Sequence, residues 1–209
     1  MPSDASKFKA PYINQQKCWS AADDFRQKYW SSGAVPVDVL SIAEFELNLE
    51  FRTSSTLREE CDTDALLLGN WKTIIVDQQE YMDPRFLNKL RWSIAHELGH
   101  FALHKDVFES VPRSNQKEWI NFVLEMPDKE YGLLEYHANE FAGRLLVPIA
   151  ELKSQFESEL VKMEEQGLRR RDLTDANLLY LCIPLGKYFA VSQEVIERRL
   201  NREKLWPLR

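Results

Sequence analysis

The segment that most restricts the fold is His96-Glu97-Leu98-Gly99-His100, because it lies in a stretch with helical periodicity. Residues four apart in a helix lie on one face, one turn apart, so His96 and His100 can direct two imidazoles at a single metal ion. The chain has only 4 histidines, and two of them fall in this pattern. An apolar side for burial is supplied by Ala95, Leu98, Phe101 and Ala102.

Glu97 follows the first histidine and can reach the coordination position that the protein leaves open. Zinc lowers the pKa of water there, and a carboxylate can take the proton as the water attacks a carbonyl carbon. The segment therefore predicts a zinc-dependent hydrolase in which Glu97 is the catalytic base.

A catalytic zinc usually takes three protein ligands, so a third must be found. His104 continues the helical stripe, but one straight helix does not readily place three such side chains around one ion, and a packing role is favoured. The better candidates lie on a helix predicted from Tyr131 to Leu146, on which Glu135 shares a face with Asn139. The candidates on this helix are Glu135, His137 and Glu140.

The rest of the pattern predicts an α+β fold with a small, partly antiparallel sheet. A Gly69-Asn70 pair between two short apolar runs indicates a hairpin, since both residues tolerate positive φ. Asp83-Pro84 predicts the start of the helix that carries the histidines. Helices are predicted at 15–30, 38–47, 84–104, 116–125, 131–146 and 173–205, and strands at 49–53, 65–68 and 73–76.

The chain is predicted to divide into residues 1–150, which carry the metal motif and the sheet, and a helical C-terminal segment, residues 151–209. In the latter we expect a break near Ile183-Pro184 and a helix cap at Ser192. This segment has a faint similarity to helix-turn-helix geometry. Its basic residues alternate with acidic ones, which favours packing over DNA recognition.

Composition excludes several classes of protein. A net charge of −6 argues against direct nucleic-acid binding, although 10 Lys and Arg against 7 Asp and Glu make Val161 to Arg209 locally basic. No apolar run is long enough for a membrane span, and the N-terminus lacks the apolar core of a signal peptide. The three scattered cysteines do not form a disulfide framework. These features predict a cytoplasmic protein.

Two segments together closely resemble the ImmA/IrrE family of metallopeptidases. The first runs from Arg91 to His100, and the second from Glu135 to Pro148, with Ala138-Asn139 followed by Phe141-Ala142 and Leu145-Leu146. The resemblance implies a zincin-like metallopeptidase domain with bound Zn²⁺. By this resemblance, His96, His100 and Glu135 are the metal ligands, Glu97 is the general base, and Asn139 lies behind one of the ligands and orients it.

The resemblance also implies an endopeptidase that cleaves a specific intracellular protein, with a helix-turn-helix transcriptional repressor as the candidate substrate, in stress or mobile-element regulation. The stretch from Lys105 to Leu134 resembles an inserted helix and loop that could cover the site. The alternative is a regulatory module that keeps the fold and acts by binding a partner without proteolysis. No oxyanion donor is evident from the sequence, and Tyr131, Tyr136 and His137 are the nearby candidates.

Overall fold

The computed structural model describes residues 5–108, residue 111 and residues 116–206. Within them the fold is α+β, as predicted, with many helices around a three-stranded mixed sheet. The helices are α1 Gln15–Tyr29, α2 Val39–Ser41, α3 Leu57–Cys61, α4 Gln78–Met82, α5 Leu87–His104, α6 Gln116–Leu124, α7 Asp128–Leu146, α8 Ile149–Glu165, α9 Asp175–Phe189 and α10 Gln193–Arg202. The strands are β1 Glu50–Ser54, β2 Ala65–Leu67 and β3 Thr73–Asp77.

The sheet has the order β1-β3-β2, so β2 is an edge strand. The predicted hairpin is confirmed, because β2 pairs antiparallel with β3, while β1 pairs parallel with β3. The turn geometry was predicted wrongly, since positive φ occurs at Trp71 and at neither Gly69 nor Asn70. The Asn70 side chain instead accepts from the amides of Lys72 and Thr73, which holds the turn. A Cβ at Gly69 would lie 2.5 Å from the Trp119 ring, so glycine makes room here.

The central helix is α5, which contacts α7, β2, α1, α2 and α4. Its apolar side is fully buried at Ile94, Ala95 and Leu98. The Asp83-Pro84 start was predicted correctly, although a 3₁₀ turn (Pro84–Phe86) precedes the α-helix. A Cβ at Gly99 would lie 3.0 Å from Ala138 Cα, so this glycine permits the close approach of α7 that places the two helices' polar residues together.

Two of the predicted helical segments have a different course in the structure. The helix capped by Asp38 changes after one turn into a π-helix (Ile42–Glu46), in which the Leu47 amide donates to the Ile42 carbonyl five residues back. The predicted break at Ile183-Pro184 is wrong, because α9 continues through Pro184. Proline removes one backbone hydrogen bond, and the burial of the neighbouring Leu181 and Leu185 offsets that loss.

The sequence prediction assigned no separate helix to 149–165, where α8 lies. Its signal is present nonetheless, since Leu152, Phe156 and Leu160 follow one another at four-residue spacing and are all buried. Ser192 caps α10 as predicted, accepting from the Val195 amide. Within the part of the chain that the structure describes, no helix combines the length and apolarity that a membrane span requires.

Candidate metal centre

Three side chains from two helices converge at the centre of the fold. His96 and His100 come from successive turns of α5, and Glu135 comes from α7. The two imidazole Nε2 atoms lie 3.0 Å apart, and each is 3.2 Å from one of the Glu135 carboxylate oxygens. The structure thus brings together the two predicted histidine ligands with one of the three candidate third residues.

The donor set fits a zinc ion. Ligand atoms at about 2.0–2.1 Å from one tetrahedral ion lie about 3.4 Å from each other, close to the separations of the three donor atoms here. Burial disfavours the Glu135 carboxylate, but hydrogen bonds from His100 and His96 outweigh it and hold the pKa of Glu135 well below its usual range. Two imidazoles and one carboxylate form the usual ligand set of a catalytic zinc site with one open position.

Glu97 lies beside this cluster, and only 6% of its surface is exposed. Its Oε2 accepts a hydrogen bond of 2.7 Å from the Leu67 amide of the edge strand. Burial raises the pKa of the Glu97 carboxyl, an effect that the nearby histidines His100 and His96 oppose. A raised pKa suits a group that must accept and then return a proton.

Asn139 is one turn after Glu135 on α7, and its Oδ1 lies 3.2 Å from His96 Nδ1. When His96 Nδ1 donates to this oxygen, the proton is on Nδ1 and the Nε2 lone pair points at the cluster. Asn139 therefore lies where it can fix the ring orientation and tautomer of His96.

We expect Asn139→Ala to weaken zinc affinity about 10- to 100-fold, because His96 loses the partner that orients its ring. Competition titration against a zinc chelator measures this affinity directly. Asn88→Ala is the matched control, since Asn88 is exposed two turns before His96 on the same helix. Equal zinc affinity in the two variants would contradict the orienting role of Asn139.

The remaining two histidines extend the network away from the cluster. His104 is fully buried at the end of α5, with Nδ1 3.0 Å from His100 Nδ1 and Nε2 3.2 Å from His137 Nδ1. His137 Nε2 in turn accepts from the Ile13 amide at 3.2 Å. Burial and the neighbouring histidines lower the pKa of His104 to about 2, so its ring is neutral.

This placement agrees with the packing role expected of His104 and takes His137 away from the metal cluster. Glu140, the other candidate third ligand, is also elsewhere, since its Oε2 accepts from the Trp19 indole at 2.9 Å. Sequence reasoning did not find the link from His100 through His104 and His137 to Ile13. The one local sign of this link is that His104 follows His100 by four residues. Ile13, at the other end of the link, is distant in sequence from both.

A cavity of about 300 Å³ opens onto the cluster. One wall is the edge strand β2, and another is α6, which belongs to the segment expected to cover the site. Residues 109–110 and 112–115 of that segment lie outside the described residues. The α6 residues that line the cavity are Trp119, Ile120, Val123 and Leu124.

The outward side of β2 is already hydrogen-bonded. The Leu67 amide donates to Glu97, and the Leu67 carbonyl accepts from the Trp119 indole at 3.1 Å. The Ala65 carbonyl accepts from the Thr63 hydroxyl at 2.8 Å. A peptide that pairs with this edge must therefore displace groups that are already bonded there, and at the Leu67 carbonyl that group is the Trp119 indole.

Tyr131 projects from α7 one turn before Glu135 and lines the same cavity. Burial and the carboxylates of Glu135 and Glu97 raise the pKa of its phenol, so the hydroxyl keeps its proton. The other two candidate oxyanion donors lie elsewhere. Tyr136 lines a different pocket, and His137 is fully buried.

An α+β fold in which a His-Glu-x-x-His helix faces a glutamate of a second helix defines the class of zincin-like metallopeptidase folds. The chain belongs to the Peptidase_M78 family, whose model, described as the IrrE N-terminal-like domain, matches residues 87–201. This match confirms the resemblance to the ImmA/IrrE family. It covers α5, α7 and the C-terminal helices, and so includes the whole candidate metal centre.

Among solved structures, a Mycobacterium tuberculosis transcriptional regulator has a similar fold, with a TM-score of 0.52 and 16% sequence identity. The match covers 90% of this chain and 47% of the regulator, so the chain spans about half the length of that protein. No curated protein matches the sequence.

Proposed function

We propose that the protein is a zinc-dependent endopeptidase that hydrolyses a peptide bond in a specific intracellular protein. The observation that carries this proposal is the convergence of the His96, His100 and Glu135 donor atoms at 3.0–3.2 Å, beside Glu97 in a cavity. The catalytic unit is assigned to residues 1–150, with residues 151–209 as a supporting helical segment.

In this proposal His96, His100 and Glu135 hold the ion, which supplies Lewis acidity to polarise the scissile carbonyl and acidify water. Glu97 accepts the proton of the attacking water at its carboxylate and returns it to the leaving amine. Its hydrogen bond from the Leu67 amide fixes the carboxylate beside the cavity. Asn139 and His104 keep the two imidazoles oriented.

Tyr131 is assigned as the donor to the oxyanion that forms on the scissile carbonyl, because Tyr131 lines the metal cavity beside Glu135. We expect Tyr131→Phe to lower kcat about 10²- to 10³-fold with unchanged zinc content, since a phenyl ring keeps the shape and loses the donor. Cleavage rates and elemental analysis of the same preparations test this. Tyr136→Phe is the control and should keep full activity, because Tyr136 lines another pocket.

An extended substrate segment is proposed to pair with the outward side of β2 after Trp119 releases the Leu67 carbonyl. We expect Trp119→Phe to lower KM about fivefold. Phenylalanine cannot donate to the Leu67 carbonyl, so the substrate no longer has to break this hydrogen bond, which typically contributes about 1 kcal/mol. The measurement is KM for the cleaved protein.

Trp30→Phe is the matched control for Trp119→Phe. The Trp30 indole also donates to a backbone carbonyl, that of Ala34, but in an exposed turn outside the cavity. A KM that stays the same or rises in Trp119→Phe would show that the indole does not compete with substrate.

A helix-turn-helix transcriptional repressor is the proposed substrate, and the cytoplasm the proposed location. The ImmA/IrrE resemblance supports this choice, and the structural neighbour is itself a transcriptional regulator. Pull-down with Glu97→Gln as a substrate trap should recover the repressor intact, whereas wild-type protein should recover or release fragments. Recovery of the same intact partner by both proteins would argue against proteolysis.

One observation favours a second function, that of a regulatory binding module. Glu97 and Trp119 hydrogen-bond to the amide and the carbonyl of Leu67, and so they close the edge of β2 to a peptide. This closed arrangement does not depend on catalysis. A non-proteolytic module would keep its full biological effect with Glu97→Gln and would lose it on truncation of the C-terminal helices. The endopeptidase proposal requires the opposite result for Glu97→Gln.

A further inference from the structure

A second cavity, of about 320 Å³, lies between α7 and α10, with Trp92 of α5 at its side. It does not share a lining residue with the metal cavity. Asn139 connects the two regions, because it lines the second cavity while its Oδ1 contacts His96. The proposed peptidase reaction leaves this cavity without a role.

The lining is positively charged in a chain whose net charge is −6. It contains three arginines of α10 and one acid, Glu140, which give a local charge of +2. The acid is already compensated, since its carboxylate accepts from the Trp19 indole and the Gln15 amide and pairs with Arg202 Nε at 3.1 Å. The arginines are Arg198, Arg199 and Arg202.

The three guanidinium groups differ in their contacts. Arg199 is only 3% exposed, pairs with Glu203 and lies over the Trp19 ring at 4.9 Å, while its Nε has no hydrogen-bond partner. Arg198 is exposed and forms no salt bridge among residues 5–108, 111 and 116–206, and its electrostatic interaction is with the exposed Glu194. The cavity therefore combines a fixed buried charge with a guanidinium group that is available for a ligand.

The neutral groups of the lining add donors. The Tyr136 hydroxyl and the Trp92 indole have no hydrogen-bond partner in the described part of the chain. Asn139 uses its oxygen on His96, which leaves its amide nitrogen as a donor. A lining that offers several donors, and whose carboxylate and amide oxygens are already bonded, matches a ligand that only accepts hydrogen bonds.

We propose that this cavity is a binding site for a small organic oxyanion, whose phosphate or carboxylate group is held by Arg198 and Arg202 beside Tyr136 and Asn139. Guanidinium groups bind both kinds of oxyanion by paired hydrogen bonds. The cavity is larger than the anionic group alone and matches the lower end of small-molecule sites. Binding of an oxyanion in this cavity does not require the proposed peptidase activity.

The test is a titration of the zinc-loaded 209-residue protein with inorganic phosphate and, separately, with succinate, at an ionic strength kept constant with chloride. ¹⁵N NMR follows the Trp92 indole and the Asn139 side-chain amide, which both line the cavity. We expect saturable shifts of both signals, and the tighter of the two probes identifies the class of oxyanion. Binding is read without any measurement of proteolysis, so it can fail or succeed separately from the peptidase proposal.

The variant Arg198→Gln/Arg202→Gln should weaken binding of the tighter probe at least about tenfold. Arg169→Gln/Arg171→Gln removes the same charge from an exposed turn and should leave the affinity unchanged. Tyr136→Phe, which keeps all charges, should also weaken binding. The proposal is overturned if neither probe gives saturable shifts, or if both double variants weaken binding equally.

Discussion

Glu97→Gln should lower the rate at which the substrate protein is cleaved about 10²- to 10⁴-fold below that of the wild type. Glutamine has the same shape as glutamate, and its side-chain oxygen can still accept from the Leu67 amide. It cannot take a proton from water, so the loss would be chemical. His96, His100 and Glu135 are unchanged, and we therefore expect the variant to bind zinc as well as the wild type does.

The measurement is cleavage of a co-expressed repressor, with zinc content determined on the same purified proteins. Glu125→Gln is the matched control, because it removes one carboxylate from an exposed turn outside the metal cavity. Equal loss of repressor with Glu97→Gln and with the wild type would rule out the peptidase function. Loss of zinc together with activity would assign Glu97 a structural role.

The histidine pair of this site could be predicted from the sequence because its geometry is local. Helical spacing alone places His96 and His100 on one face, and the structure has them one turn apart with Nε2 atoms 3.0 Å apart. The third residue was harder to predict. Three residues of α7 remained as candidates for the third metal ligand until the family resemblance favoured Glu135. Local patterns could not choose among them, because the rotation of α7 about its axis depends on contacts such as that of Gly99 with Ala138.

Features that depend on distant parts of the chain escaped sequence reasoning. The hairpin of β2 and β3 is local and was predicted, whereas the parallel pairing of β1 with β3 requires a crossover that no short pattern encodes. The closure of Leu67 by Trp119 joins residues 52 positions apart. At Pro184 a local rule failed, because the packing of the neighbouring side chains outweighed the lost hydrogen bond.

His96→Ala/His100→Ala should remove zinc from the protein, with content falling from about one equivalent to less than about a tenth. Glu135 alone would remain as a ligand, and a single carboxylate does not hold zinc against a chelator. The helix should persist, since alanine has the highest helix propensity and the buried side of α5 is unchanged. Elemental analysis measures the loss of metal, and circular dichroism confirms that the variant is folded.

Glu140→Gln separates this site from the alternative that the α7 sequence left open. Glu140 is buried and lies only five residues after Glu135 in the sequence. Its carboxylate binds Trp19, Gln15 and Arg202, and not the metal cluster. The Glu140→Gln variant should therefore keep a full equivalent of zinc. Stoichiometric zinc in the double histidine variant would show that the ion lies elsewhere. Two imidazoles and one carboxylate also accept manganese or iron, so the ion itself must be identified. The same elemental analysis does this, and a preponderance of zinc would complete the assignment of the site.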